Sequence, residues 1–264
     1  MSTKKKWWVV TDIDGTLMDH NYDLSPALPT IQCLQNMGIP VIPCTSKTAT
    51  EVRSLRDQIG LNDPYIVENG GAIYGTDSSS KEEWQIVLGK RFEDLRPILD
   101  QISQEIGYQL KALNDLSVEE IESLTGLTGV SISRALEREW SVPFLNPPSS
   151  DRERLLEIAS NLDTTIYKGN RMSHLLGKGS HKGKAVIELK KFLGLPDVNI
   201  IGLGDSHNDL PLLEVADHSI VIPGHDGPNQ FLIDGIQKGH FILAPAPHAE
   251  GWAGAIRNLI SNFD

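Results

Sequence analysis

Trp7-Trp8-Val9-Val10-Thr11-Asp12-Ile13-Asp14-Gly15-Thr16-Leu17 is the stretch on which the reading of the fold turns. Its short, apolar, β-branched first half reads as a buried strand. That strand empties directly into carboxylates at i and i+2, Asp12 and Asp14. In parallel sheets the ligand site lies beyond the carboxyl ends of the strands, so the pair stands where a site belongs. Carboxylates crowded there repel one another unless a divalent cation neutralises them or one takes up a proton. Hard oxygen donors with phosphate nearby favour Mg²⁺. Taken alone, the pair has an ordinary alternative, a solvated acidic turn.

Moving outward, the spacing predicts a helix over 26–37 stopped by Gly38, then a strand over 41–44. Thr48-Ala49-Thr50-Glu51 has the form of a capping box. Val52, Leu55 and Ile59 follow at helical spacing, Gly60 supplies a stop, and 65–67 reads as another strand. Strand and helix in alternation imply a parallel sheet with crossover helices. The alternation lapses at the polar run Thr76-Asp77-Ser78-Ser79-Ser80. Helices are expected over 92–106, 117–124 and 151–161, a loop over 146–150 and a strand over 164–167. It resumes with a helix over 184–193, a strand over 199–203, a helix over 209–215, strands over 219–222 and 241–243, and a closing amphipathic helix over 252–260. The expected fold class is α/β. A Rossmann-like core with a parallel sheet comes from 1–82 and 172–264, and an inserted α+β cap domain from 83–171.

Composition restricts the function classes. The chain has 264 residues, 39% hydrophobic and 22% charged, as an ordinary globular protein does. A formal net charge of −11 argues against nucleic acid as partner, since nonspecific binding needs a basic footprint. An acidic protein takes an anionic ligand only through a local positive cluster or a metal. Cys33 and Cys44 fall in no metal or disulfide spacing and read as free thiols of a reducing compartment. Lys4-Lys5-Lys6 precedes an apolar run that Asp12 breaks too soon for a signal peptide. No run reaches the ~18 apolar residues of a membrane span, so a cytoplasmic location without membrane partners is expected.

Further loops extend the site. Gly204-Asp205-Ser206-His207-Asn208-Asp209 again follows a strand and adds carboxylates; alone it could merely cap the next helix. Thr45-Ser46-Lys47-Thr48 leaves a strand and opens a helix, where hydroxyls and backbone N–H groups form a phosphate cradle. Gly179-Ser180-His181-Lys182-Gly183-Lys184 precedes a helix and can supply a lysine to a phosphate or carboxylate, though a solvated basic loop reads the same way.

Together these loops resemble the sequence motifs of the haloacid dehalogenase (HAD) superfamily, and the resemblance spans nearly the whole chain. It implies Asp12 as nucleophile, Asp14 as general acid/base, and Thr45 and Lys182 as holders of the transferring phosphoryl group. It places the family lysine at Lys182 rather than Lys178 or Lys184. It further implies Mg²⁺ held by Asp12, the Asp14 backbone carbonyl and Asp205, with Asp209 supporting the metal or the lysine. Thr16 after the glycine fits the phosphatase branch. The insertion resembles a Cof-type cap, and several stretches resemble mannosyl-3-phosphoglycerate phosphatases: 44–48, 68–71, 135–144, 169–175 and Glu250-Gly251-Trp252. Within the cap, Trp140 and Val142 depart from that family's commoner residues. The resemblance assigns Ser46, Lys47, Glu68, Asn69, Gly70, Arg138, Arg171, His174 and Asn208 to a phosphorylated sugar derivative. A glucosyl-3-phosphoglycerate or another sugar phosphate fits the same motifs. So does a phosphomutase, which must keep water from its phosphoaspartate. A non-catalytic sugar-phosphate binder has no need of a nucleophile and fits them less well.

Overall fold

The computed structural model of the chain describes residues 6–19, 21–77 and 79–261. Lys4, Lys5 and Ser78, noted above, lie outside the described residues. The strands are β1 (Trp7–Thr11), β2 (Val41–Pro43), β3 (Tyr65–Val67), β4 (Ala72–Thr76), β5 (Glu83–Val87), β6 (Val142–Leu145), β7 (Thr164–Lys168), β8 (Met172–Gly177), β9 (Asn199–Gly204), β10 (His218–Val221) and β11 (Ile242–Leu243). The main sheet has the order β11-β10-β9-β1-β2, and every pairing in it is parallel. Its central strands are buried on both faces, which is why they are continuous apolar runs and not alternating ones. One face packs on the helices Leu28–Asn36 and His248–Ile260 through Ile31, Leu34, Trp252 and Ile256. The other packs on Lys182–Phe192 and Leu210–Val215 through Val186, Leu189 and Leu212.

The helix Ala49–Ile59 begins as its sequence predicts. Thr48 accepts from the Glu51 N–H, the Glu51 carboxylate accepts from the Thr48 N–H, and Gly60 ends the helix in the left-handed region at φ 69°. A parallel bridge from Cys44 to Ile66 carries the sheet on to β3, where antiparallel β3-β4-β5 begins. The polar run at 76–80 links the strands of the β4–β5 hairpin.

A second antiparallel sheet, β6-β8-β7, stands apart. The helices Phe92–Ile106 and Arg152–Asn161 cover it, burying Leu95, Leu99, Ile102, Leu155 and Ile158 against Phe144, Ile166 and Leu175. This is a separate hydrophobic core. The Ser180 hydroxyl donates to the Leu88 carbonyl at 3.2 Å, so the two chain segments joining the layers lie side by side. Among the described residues no helix is long and apolar enough to cross a membrane.

Candidate active site

Register brings the acidic loops together. β1 and β9 are neighbours with Thr11 opposite Leu203, so Asp12 and Asp205 leave adjacent strands at the same edge. Gly15 has φ +84°, and a Cβ on it would lie 2.6 Å from Asp205 Oδ2; the loop approaches Asp205 this closely because residue 15 has no side chain. The C-terminal helix buttresses the loop. Trp252 Nε1 donates to Thr11 Oγ1 at 3.0 Å, and His248 Nδ1 lies 3.0 Å from the Gly15 carbonyl oxygen.

Lys182 ties the cluster. Its fully buried Nζ lies 2.7 Å from Asp12 Oδ1 and 2.5 Å from Asp209 Oδ1. Asp209 Oδ2 accepts the backbone N–H groups of Asp205 (3.0 Å) and Ser206 (2.9 Å). Asp205 accepts from Thr16 Oγ1 at 3.0 Å and from Asn170 Nδ2, across from the cap, at 2.7 Å. Burial pushes the Asp12 carboxyl up to about 7; Lys182 opposes the shift, while Asp209 and Asp14 add to it. Burial, reinforced by Asp209 and Asp12, lifts Asp205 well above the usual carboxylate range. Burial works against charge on Lys182, yet Asp12 and Asp209 outweigh it and hold the ammonium above its ordinary value.

Asp12, Asp205 and Asp209 offer oxygens that all lie within 4.8 Å of one another. One buried ammonium does not neutralise that set, which therefore calls for a proton or a cation. An all-oxygen donor set suits a hard divalent ion. Asp209 already spends both oxygens on Lys182 and the backbone, so Asp12 and Asp205 are the acids better placed to ligate. The Asp14 carboxylate turns the other way, to Lys47 at 3.0 Å.

A cleft opens between the loops of the main sheet and the β6-β8-β7 layer, bordered by Asp12, Asp14, Lys47, Arg138, Arg171 and His174. Ser46 and Asn208 also face it. Thr45 and Lys182 are fully buried beside it. Thr45 is fixed by its neighbours: its N–H donates to the Ile66 carbonyl, its own carbonyl accepts from Asn69, and its hydroxyl accepts from the Lys47 N–H. Lys47 also reaches Glu51 at 3.6 Å; Asp14 and Glu51 together hold its ammonium above the ordinary value against the opposing effect of burial.

Several expected substrate contacts already have protein partners. The Glu68 carboxylate is fully buried and accepts from the N–H groups of Glu139 (2.9 Å) and Trp140 (3.1 Å) and from the Ser141 hydroxyl (2.6 Å), so it staples the core to the segment before β6 instead of meeting a ligand. Asn69 accepts from Asn208 Nδ2 at 2.9 Å. Gly70 has φ +93°, and a Cβ there would lie 2.5 Å from the His181 carbonyl oxygen; the glycine lets this turn close on the start of the Lys182 helix. Arg138 donates to the carbonyls of Ser46 (2.6 Å) and Ala135 (2.8 Å). Arg171 donates to the Tyr22 hydroxyl (2.9 Å) and the Thr125 carbonyl (2.7 Å). His174 borders the cleft as a neutral ring, held down to about 3 by burial and then by the positive charges of Arg138 and Lys182. It can hydrogen-bond a ligand but brings no charge to it.

Asn170 and Tyr22 are the contributors that sequence reasoning passed over. Asn170 lies inside the 169–175 run noted above, but its partner Asp205 is remote in sequence, and Tyr22 stands in a loop without periodicity. Neither carries a local signal.

A model of the haloacid dehalogenase-like hydrolase family matches residues 9–125 and 146–223. A glucosyl-3-phosphoglycerate/mannosyl-3-phosphoglycerate phosphatase of Persephonella marina is 33% identical over 270 residues, covering 97% of this chain and 98% of the relative. One of the same description from Methanococcoides burtonii is 32% identical, covering 96% of each. Among solved structures, the sucrose-phosphatase of Synechocystis in complex with sucrose and phosphate superposes with a TM-score of 0.65 at 18% identity over 98% of both chains. A haloacid dehalogenase-like hydrolase from B. subtilis gives 0.70 at 17% identity over 96% of this chain and 99% of the other. The chain belongs to the haloacid dehalogenase-like hydrolases.

Proposed function

We propose that this hydrolase is a Mg²⁺-dependent phosphomonoesterase that releases phosphate from a glycosyl-3-phosphoglycerate, mannosyl or glucosyl, by way of an aspartyl-phosphate. The observation that carries the proposal is the buried Lys182 bridging Asp12 and Asp209 beside Asp205. The names of the relatives, covering nearly the whole chain, support the substrate class.

Asp12 attacks phosphorus through a carboxylate oxygen, the ester P–O bond breaks, and Asp14 protonates the departing alkoxide. Asp14 then takes a proton from the water that attacks phosphorus, so phosphate leaves and Asp12 is restored. Lys182 offsets the repulsion between Asp12 and the incoming anion. Mg²⁺, held by Asp12 and Asp205, would supply the remaining positive charge at the phosphoryl oxygens. Thr45 fixes the backbone beside that group, and the cleft residues Lys47, Arg171 and His174 select the glycosyl-glycerate end. We place the movable cap between Gly89 and Gly179, so that β5 stays with the core and β8 with the cap sheet.

The test is phosphate release from mannosyl- and glucosyl-3-phosphoglycerate, with Mg²⁺ and with EDTA. Turnover is expected only with the metal, and Asp12→Asn should abolish it while the circular dichroism spectrum is kept. Turnover in EDTA, or an Asp12→Asn variant near wild type, overturns the mechanism.

A further inference from the structure

The turn between β7 and β8 carries Gly169, Asn170 and Arg171. It closes through the Gly169 N–H, which donates to the Met172 carbonyl at 2.9 Å. Two side chains in succession then reach the main-sheet layer. Arg171 donates to the Tyr22 hydroxyl at 2.9 Å, and Asn170 Nδ2 donates to Asp205 Oδ2 at 2.7 Å. The turn thus docks on a core loop with one residue and on the acid cluster with the next.

Asp205 is held differently from the other acids of that cluster. Lys182 of the core holds Asp12 and Asp209. Asp205 takes a side-chain donor on each of its oxygens. Thr16 Oγ1, from the core, lies 3.0 Å from Oδ1, and Asn170, from the proposed cap, bonds Oδ2. Among the described residues, Asp205 is the member of the Asp12, Asp205 and Asp209 group that accepts a hydrogen bond from the cap. A carboxylate oxygen has two lone pairs, so each keeps one for a cation after accepting its bond. The two donors fix the plane of a carboxylate that a cation would otherwise have to order on binding. A carboxamide does this without charge: lysine or arginine at 170 would repel a divalent ion, and a carboxylate would add to the repulsion within the cluster.

We infer that Asn170 is a positioning residue that links cap closure to Mg²⁺ binding. With the turn docked, its carboxamide holds Asp205 in the ligating orientation, so closure raises metal affinity and the metal in turn favours closure. The inference rests on the Mg²⁺ reading given above.

The test is calorimetric titration of Mg²⁺ alone into the full chain, for wild type, Asn170→Ala, Arg171→Ala and the double variant. Asn170 is exposed, so its truncation leaves the fold intact, which circular dichroism checks. Asn170→Ala is expected to weaken Mg²⁺ binding about tenfold or more, the effect of losing a hydrogen bond to a ligating carboxylate. Arg171→Ala frees the turn. It should weaken Mg²⁺ binding several-fold where Asn170 is present and add little to the loss in Asn170→Ala. By reciprocity, saturating Mg²⁺ should slow amide hydrogen exchange in residues 169–172 of wild type and not in Asn170→Ala. Wild-type Mg²⁺ affinity in Asn170→Ala, additive losses in the double variant, or exchange indifferent to Mg²⁺ in wild type each overturns the inference and leaves the Mg²⁺ assignment standing. A wild-type chain that binds no Mg²⁺ overturns that assignment, and the inference with it.

Discussion

At the scale of single residues, the site is governed by how charges are distributed in a buried volume. Lys182 sits among carboxylates that would otherwise repel, so its removal leaves them uncompensated. Breaking a buried pair by deleting one partner costs about 3–5 kcal/mol. Lys182→Ala is expected to lose a stability of that order in urea unfolding along with all turnover; a loss under ~1 kcal/mol would mean the carboxylates are protonated and the lysine is not their counter-charge. His174 behaves oppositely. Its pKa is held at about 3 in the folded chain, against an ordinary value of 6.5. Between those values the unfolded chain binds a proton that the folded chain does not. Stability from this group is therefore fully present above pH 6.5 and is lost as pH falls toward 3, at up to about 1.4 kcal/mol per pH unit. His174→Gln should flatten the stability curve in that window. An unchanged slope would show that the ring does protonate in place. The acids themselves were legible in the sequence, because each follows a strand end directly. The neutral state of His174 was not, since its burial and the nearby positive charges of Arg138 and Lys182 exist only in the folded chain.

At the scale of elements, the crossover pattern of the core was open to reading because each strand is a short apolar run and each helix carries a cap or stop. The hairpin β4–β5 was not. Its polar turn at 76–80 has the composition of a linker as much as of a hairpin, and local sequence does not distinguish them. Residues 172–177 likewise looked like a return to the core, whereas β8 pairs with β6 and β7 over its whole length. Antiparallel partners found only in three dimensions leave no periodic trace in one strand. The 3-10 turn Glu68–Gly70 is the element on which both layers converge, with Glu68 at φ 47° and Asn69 at φ 57°. Left-handed residues in succession are costly unless surrounding bonds fix them. Here the Glu68 carboxylate fixes the Glu139–Ser141 segment. Glu68→Ala would strip two backbone N–H groups of their acceptor, at about 1–3 kcal/mol each if they stay buried. Denaturant unfolding is expected to show a loss in that range, and KM should rise as the segment bearing Arg138 loosens. A variant with wild-type stability would show that water replaces the carboxylate and that the staple is dispensable.

At the scale of the whole molecule, the main-sheet layer and the β6-β8-β7 layer are held by polar contacts across the cleft; in the proposed reading they are core and movable cap. Arg171 bonds the Tyr22 hydroxyl of the core loop and also lies 5.7 Å from that ring's centroid, while Asn170 bonds Asp205. Such contacts favour the closed state, which excludes water and positions the substrate. Arg171 has two possible duties: latching the cap, or meeting a carboxylate on the substrate. The variants Tyr22→Phe and Arg171→Ala separate them. Tyr22→Phe removes the core partner and leaves the guanidinium in place; Arg171→Ala removes both. We expect Arg171→Ala to lower kcat/KM for mannosyl-3-phosphoglycerate at least ~10-fold, the effect of one charged hydrogen bond. Its effect on p-nitrophenyl phosphate, which has no carboxylate, should be several-fold smaller. Tyr22→Phe should lower both alike and modestly, since it disturbs closure and not recognition. Equal losses for both variants on both substrates would reduce Arg171 to a latch. The choice between glycosyl-glycerates would then have to lie with other cleft residues, Lys47 and His174 first, because they border the same space.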